Sequence, residues 1–201
     1  MKNNMKYLLI AFFLFIISCS NYKIIDPFAA GDSILNEDSF ISGPDATDFD
    51  IEYNMREYYK QYGKYKIIIS GDISSTSTLS DVKKIIDKQY YKDAKAQIEV
   101  DLTRTTLTEI KSDAFKGCTA LISISLPESL TAVNNNSFDG CTELANLEYL
   151  GTKANAINVT LSGVTKLVNL YLPNVAKDPG GGSWDTFLGI TWTKINYGIS
   201  M

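Results

Sequence analysis

Gly117-Cys118-Thr119-Ala120-Leu121 recurs as Gly140-Cys141-Thr142-Glu143-Leu144 and again as Gly163-Val164-Thr165-Lys166-Leu167, each step 23 residues long. The register continues beyond these pentads. Ile124, Leu147 and Leu170 fall in one column, and Leu126, Tyr149 and Leu172 in the next. A further column reads Phe115, Phe138, Leu161 and Trp184. Apolar residues at fixed offsets, with a period in the twenties, mark a solenoid. One such repeat cannot bury its apolar side alone, so neighbouring coils must stack. Solenoids of this kind mostly bind other molecules through an extended surface, and few do chemistry.

Within a coil, Ile124 and Leu126 alternate with Ser123 and Ser125, the period of a half-buried strand. Pro127 ends it, having no N–H for the ladder. Leu130 and Val133 return to the core, Asn134 to Asn136 turn the chain, Phe138 plugs the convex side and Gly140 turns again. Strands are expected near 98–102, 122–126, 145–149, 168–172 and 190–195, in one parallel sheet. At about 4.8 Å per strand the stack is only ~20 Å long. Val100 and Leu102 match Ile124 and Leu126 at offset 24, so the first coil carries one extra residue. Trp184 and Trp192 are expected to cover the last coil.

Apolar content is 45% and charged content 21%, ordinary for a globular chain. Net charge is -4, and falls to -6 without Lys2 and Lys6. That balance argues against a nucleic-acid partner, which requires clustered Lys and Arg. Histidine is absent, which removes the commonest general base and metal ligand. The best acid pair for hydrolysis is Glu99 or Asp101 with Glu148. Carboxylates on a flat sheet lack the enclosing cleft that shifts a pKa. The expectation is no enzyme, no catalytic residue, no cofactor and no metal site.

The chain opens with Lys2 and Lys6, then an apolar run from Tyr7 to Ile17. The run is shorter than the roughly 20 residues that span a bilayer and has the layout of a secretory leader. Ile16-Ile17-Ser18-Cys19 resembles the bacterial lipoprotein box. The resemblance implies cleavage after residue 18 and a lipidated Cys19, because only a thiolate takes the diacylglyceryl group. Two or more acyl chains anchor stably. Ser20 in the next position goes, in many bacterial lipoproteins, with export to the outer membrane. Cell-envelope residence, most naturally at the outer membrane, follows as an expectation. Which face of that membrane the chain occupies stays open.

Residues 19–60 are expected to be the lipidated Cys and an acidic tether. Residues 20 to 52 hold eight acids against Lys23 alone, and such a stretch buries too little apolar surface to repay its ordering entropy. Asp45, Asp48, Asp50 and Glu52 lack the spacing of a calcium loop. A tyrosine-rich stretch, Tyr53 to Tyr65, is expected to pack under the first coil. Residues 61–95 form an N-terminal cap. Its strand is Lys66 to Ser70, and its helix buries Val82, Ile85, Ile86 and Tyr90 on one face. Thr78 or Ser80 caps that helix, with Asp81 in its first turn.

Ala114-Phe115-x-Gly117-Cys118, Ser137-Phe138-x-Gly140-Cys141, Ile124-Ser125-Leu126-Pro127 and Leu170-Tyr171-Leu172-Pro173 resemble the BspA-like bacterial leucine-rich repeats. The resemblance spans roughly residues 96 to 195 in register. It implies an α/β solenoid: a short leucine-rich-repeat stack with one parallel sheet, an N-terminal strand–helix cap and a C-terminal cap, the repeat domain running 96–201. The family is mostly secreted or surface-located, and several members are adhesins. Cys118 and Cys141 would stack within disulfide range, about 4.4–6.8 Å between Cα atoms. Val164 takes the same position in the next coil, so an apolar plug suffices there, which favours free thiols. The outward strand positions Glu99, Asp101, Ser123, Ser125, Asn146, Glu148, Asn169 and Tyr171 are the candidate binding strip. The functional expectation is a lipid-anchored protein that binds a protein or glycan partner. The alternative is a periplasm-facing scaffold.

Overall fold

The computed structural model describes residues 35–201 except 75, 76, 155, 156 and 158. The leader and Cys19 lie outside the described residues. Chain order is a 3-10 turn Glu37–Phe40, β1 Ile41–Ser42, α1 Asp48–Tyr62, β2 Tyr65–Gly71, α2 Thr78–Ile86, α3 Gln89–Asp93, β3 Ile98–Thr105, β4 Glu109–Ile110, β5 Leu121–Leu126, β6 Ala132–Val133, β7 Asn146–Tyr149, β8 Asn169–Leu172 and β9 Lys194–Tyr197. Seven strands form one sheet in the order β1-β2-β3-β5-β7-β8-β9, and β4 pairs with β6 on the other side of the coils. Every pairing is parallel. Six inter-strand steps of about 4.8 Å give a stack ~29 Å long, longer than the expected five strands allow.

The repeat columns are the core. Phe115, Phe138, Leu161 and Trp184 are all buried, as are Ile124, Leu147 and Leu170. The rings of Phe115 and Phe138 stack with centroids 5.3 Å apart and planes within 1°. Adjacent coils are also tied through their turns. Phe115 N–H donates to Ser137 O and Gly117 N–H to Asp139 O, both at 2.8 Å. The buried Ser137 hydroxyl lies within reach of three carbonyl oxygens, those of Ile110, Lys111 and Asn134. At Gly163 the backbone adopts φ +70°, and a Cβ there would lie 2.7 Å from Gly140 N. The glycine column therefore answers both to a left-handed turn and to close coil-to-coil approach.

Register explains the two irregular coils. Ile98 faces Leu121 but Glu99 faces Ser123, so the extra residue of the first coil is a bulge at Ile122. The last step is longer still. Asn169 faces Lys194 and Leu170 faces Ile195, an offset of 25. The strand expected at 190–195 therefore lies at Lys194–Tyr197. The added residues fall after Trp184, where a 3-10 turn Phe187–Gly189 carries Leu188 at φ 58°. With that offset Trp192 takes the column of Leu121, Leu144 and Leu167, and its indole N–H donates to Phe187 O at 3.1 Å. Tyr149, Trp184 and Phe187 complete an aromatic cluster at this end.

The N-terminal cap is larger than the sequence suggests. Residues 35–60, expected as tether, are folded as far as described: the 3-10 turn, β1 and most of α1 lie there. The acids are held by partners distant in sequence. Glu37 accepts from the Tyr58 hydroxyl and pairs with Lys66, and Asp38 pairs with Arg104. Glu52 accepts from Tyr91 OH at 2.8 Å and Lys88 Nζ at 2.5 Å. Burial opposes ionisation of Glu52, yet these donors hold its carboxyl below the ordinary range. Thr47 and Asp50 form a reciprocal capping box on α1. Of the tyrosines, Tyr58 is buried against Phe40 and Ile68, whereas Tyr53, Tyr59 and Tyr62 stay largely exposed.

Two details of the cap helix also differ. Ser77, not Thr78 or Ser80, is its N-cap, and the Thr78 hydroxyl instead donates to Pro44 O at 2.9 Å. The helix ends at Ile86, Lys88 is extended, and α3 starts afresh. This break rotates Tyr91 into the core and leaves Tyr90 exposed.

Two stability predictions follow from this packing. An ideal Cβ on Gly151 would lie 2.2 Å from Tyr149 Cζ, and Tyr149 is buried with its hydroxyl donating to Leu130 O. Gly151→Ala is expected to cost about 1–3 kcal/mol by urea unfolding. In a Tyr149→Leu background the same change should be nearly neutral, a coupling that a double-mutant cycle measures. Thr47→Ala removes one half of the capping box and is expected to cost about 1 kcal/mol in the same assay.

Candidate functional site

Parallel pairing in constant register sets side chains of equivalent residues side by side across the sheet. One row runs Lys66, Glu99, Ser123, Asn146, Asn169, Lys194. The second runs Ile68, Asp101, Ser125, Glu148, Tyr171, Asn196. All eight residues of the candidate strip thus come together in two adjacent rows. Sequence periodicity missed Lys66, Lys194 and Asn196. Lys66 lies outside the repeat, and the 25-residue last step displaces the other two.

The rows are less open than expected. Glu99, Asp101, Asn146, Asn169 and Tyr171 are half-buried, but Ser123, Ser125 and Glu148 are buried. Strands about 4.8 Å apart let long neighbours shield a short serine. Lys66 closes the β2 end, reaching Glu37 at 3.4 Å and Asp101 at 3.6 Å. Asp101 also accepts from Thr103, through the backbone N–H at 3.0 Å and the hydroxyl at 2.6 Å. Lys64 pairs with Glu99 at 3.3 Å. Asn169 donates to Asn146 Oδ1 at 2.8 Å, an amide ladder between neighbouring coils. Three carboxylates against two lysines leave the strip slightly acidic.

Glu148 departs most from expectation. It is only 6% exposed, and burial raises its carboxyl above the ordinary range, although hydrogen bonds from Met201 N–H and Ser125 oppose this. Met201 N–H donates to Glu148 Oε2 at 2.7 Å, so a segment beyond β9 reaches back onto the strip. Burial on the sheet has therefore shifted a carboxylate after all, against the hydrogen bond that the segment supplies.

In the turns ahead of β5 and β7, Cys118 and Cys141 are free and buried. Cys141 donates its S–H to Phe115 O at 2.9 Å. The adjoining Cys141 and burial together push the Cys118 thiol up, which keeps it protonated. These thiols are packing groups with one tie between coils. No helix among the described residues is long and apolar enough to cross a membrane.

Searches of curated proteins and of solved structures each return no match. A family model, the BspA type leucine rich repeat region (6 copies), matches residues 72–196. The match starts earlier than the 96 to 195 expected from the repeat register and takes in α2, α3 and part of the cap. It covers well over half of the sequence, and it agrees with the parallel sheet, the stacked columns and the turn glycines. The chain belongs to the BspA-type leucine-rich-repeat family.

Proposed function

We propose that this chain is a non-enzymatic lipoprotein of the cell envelope, anchored through Cys19, whose strip of two polar rows binds a protein or glycan partner. The strip is the observation that carries the reading. It sets six strands' worth of hydrogen-bonding side chains in constant register on one face. Polar outward positions are usual on a half-solvated sheet, but an array of amides, carboxylates and one tyrosine also offers directed donors and acceptors to a ligand. Asp101 is engaged by Lys66 and Thr103, and Glu148 by Met201. Neither carboxylate is free to act as an acid–base pair, which supports binding over catalysis.

The leader and the lipoprotein box support export and anchoring. An outward-facing, adhesin-like role at the outer membrane fits these features together with the family's habit of surface location.

Protease treatment of intact cells is expected to remove the repeat domain while a periplasmic control protein survives. Protection until the outer membrane is broken would reject the outward-facing role. Cys19→Ala is expected to move the protein from the membrane to the soluble fraction. A photo-crosslinking residue at Tyr171 should give adducts on cells, and one at Lys116, in the exposed turn next to the buried Phe115, should not. Adducts from neither position, or from Lys116 alone, would reject the strip as the contact surface.

A further inference from the structure

The strip already holds an occupant. After β9 the chain turns at Gly198, which sits at φ +67° and donates its N–H to Leu172 O at 2.9 Å. Three residues later Met201 N–H reaches Glu148. Glu148 is on β7, and the register places Tyr171 of β8 between it and Asn196 of β9. The segment 199–201 therefore crosses two strands along the row Asn196, Tyr171, Glu148. That path covers ~10 Å at about 4.8 Å per strand, which three extended residues can span.

The way this segment is held shows what the strip accepts. Its one anchoring bond is a main-chain N–H to a buried carboxylate, which any peptide can supply and a side-chain-specific ligand need not. Ile199 and Met201 keep 54% and 45% of their surface exposed, so neither side chain is buried in a pocket. The hydrogen bond itself is thus independent of sequence. Glu148 is buried and takes two donors, the Ser125 hydroxyl from the sheet and the Met201 N–H from the segment, and the second is one that any peptide backbone carries. A second peptide backbone laid along the same row can supply the donor that the segment supplies.

We propose that residues 199–201 are a built-in, displaceable occupant of the strip, and that the partner enters as an extended peptide segment whose main-chain N–H replaces that of Met201 on Glu148. This deepens the binding reading above and rests on it. It also narrows the partner from protein or glycan to protein. The full chain and its partner then compete for one position, and the segment lowers apparent affinity by the fraction of time it is seated.

Two readouts test this. In the full chain the Met201 amide should exchange about tenfold more slowly than in Glu148→Ala, with Glu148→Gln close to the parent because its amide oxygen still accepts. Equal exchange in all three chains would overturn the seated segment. Next, the chain ending at Gly198 is isotope-labelled and titrated with the peptide acetyl-Gly-Ile-Ser-Met-amide into the millimolar range, where tethered segments of this length have their effective concentration. Saturable shifts of the Ser125, Glu148 and Tyr171 amides are expected, at least about tenfold weaker in the full chain and absent in the truncated chain carrying Glu148→Ala. No shifts, or equal shifts in full and truncated chains, would overturn displacement. Failure here is separable from failure of the broader reading. Adducts at Tyr171 without peptide binding would leave a partner surface with no internal competitor. Peptide binding without any adduct would leave an intramolecular strap on a surface that meets no partner.

Discussion

Everything in this molecule depends on parallel strand pairing in constant register. A coil of 23 residues has one apolar side and no means of covering it except another coil. The ladder fixes neighbours at one spacing, and that spacing then dictates which residues can occupy each column. Phenylalanines stack face to face, glycines meet backbone to backbone, and a cysteine can give way to valine because both fill a small apolar site. The same constraint acts on the opposite face, where it gathers eight dispersed polar residues into two rows. Core and candidate site are two readings of one ladder.

Much of this was legible in the sequence where the repeat is regular. The columns located β5, β7 and β8 closely and foretold the extra residue beside β3, which the structure resolves as a bulge at Ile122. Legibility failed where the period failed. Trp184 keeps its column, which hides the two residues added after it, and Trp192 stands where earlier coils have leucine. It failed again for the acids of residues 37–52, whose partners Lys66, Lys88 and Arg104 lie roughly 30 to 65 residues away. Composition describes such a stretch as a tether, because it cannot see pairing across that distance. Tyr90 was expected inside because helical periodicity was carried through Lys88, where the helix breaks and Tyr91 takes the buried place.

The candidate strip shows the same division. Its eight residues followed from strand alternation, but their burial did not, since alternation says which way a side chain points and nothing of what lies on top. The contact between Met201 and Glu148 links residues 53 apart through a segment with no pattern of its own. Glu148 illustrates the physical point: a carboxylate's character depends on the donors and solvent around it, and here burial raises it while Ser125 and Met201 donate against that rise.

Repeated, parallel architectures face a danger that comes with their success: each coil is a template for the next, and an uncovered end invites a second molecule to continue the copy. Among the described residues the two edges of the sheet differ. The first edge strand is cut to two residues, Ile41–Ser42, with Pro44 just beyond and lying against Gly71 of β2. The last strand keeps its register with β8, but its coil is two residues longer and carries the bulky Trp192 where earlier coils have leucine, so a further coil of the standard repeat would meet a different packing surface. End-to-end pairing of two such sheets is thereby discouraged by a short, proline-flanked strand at one edge and by an altered packing surface at the other.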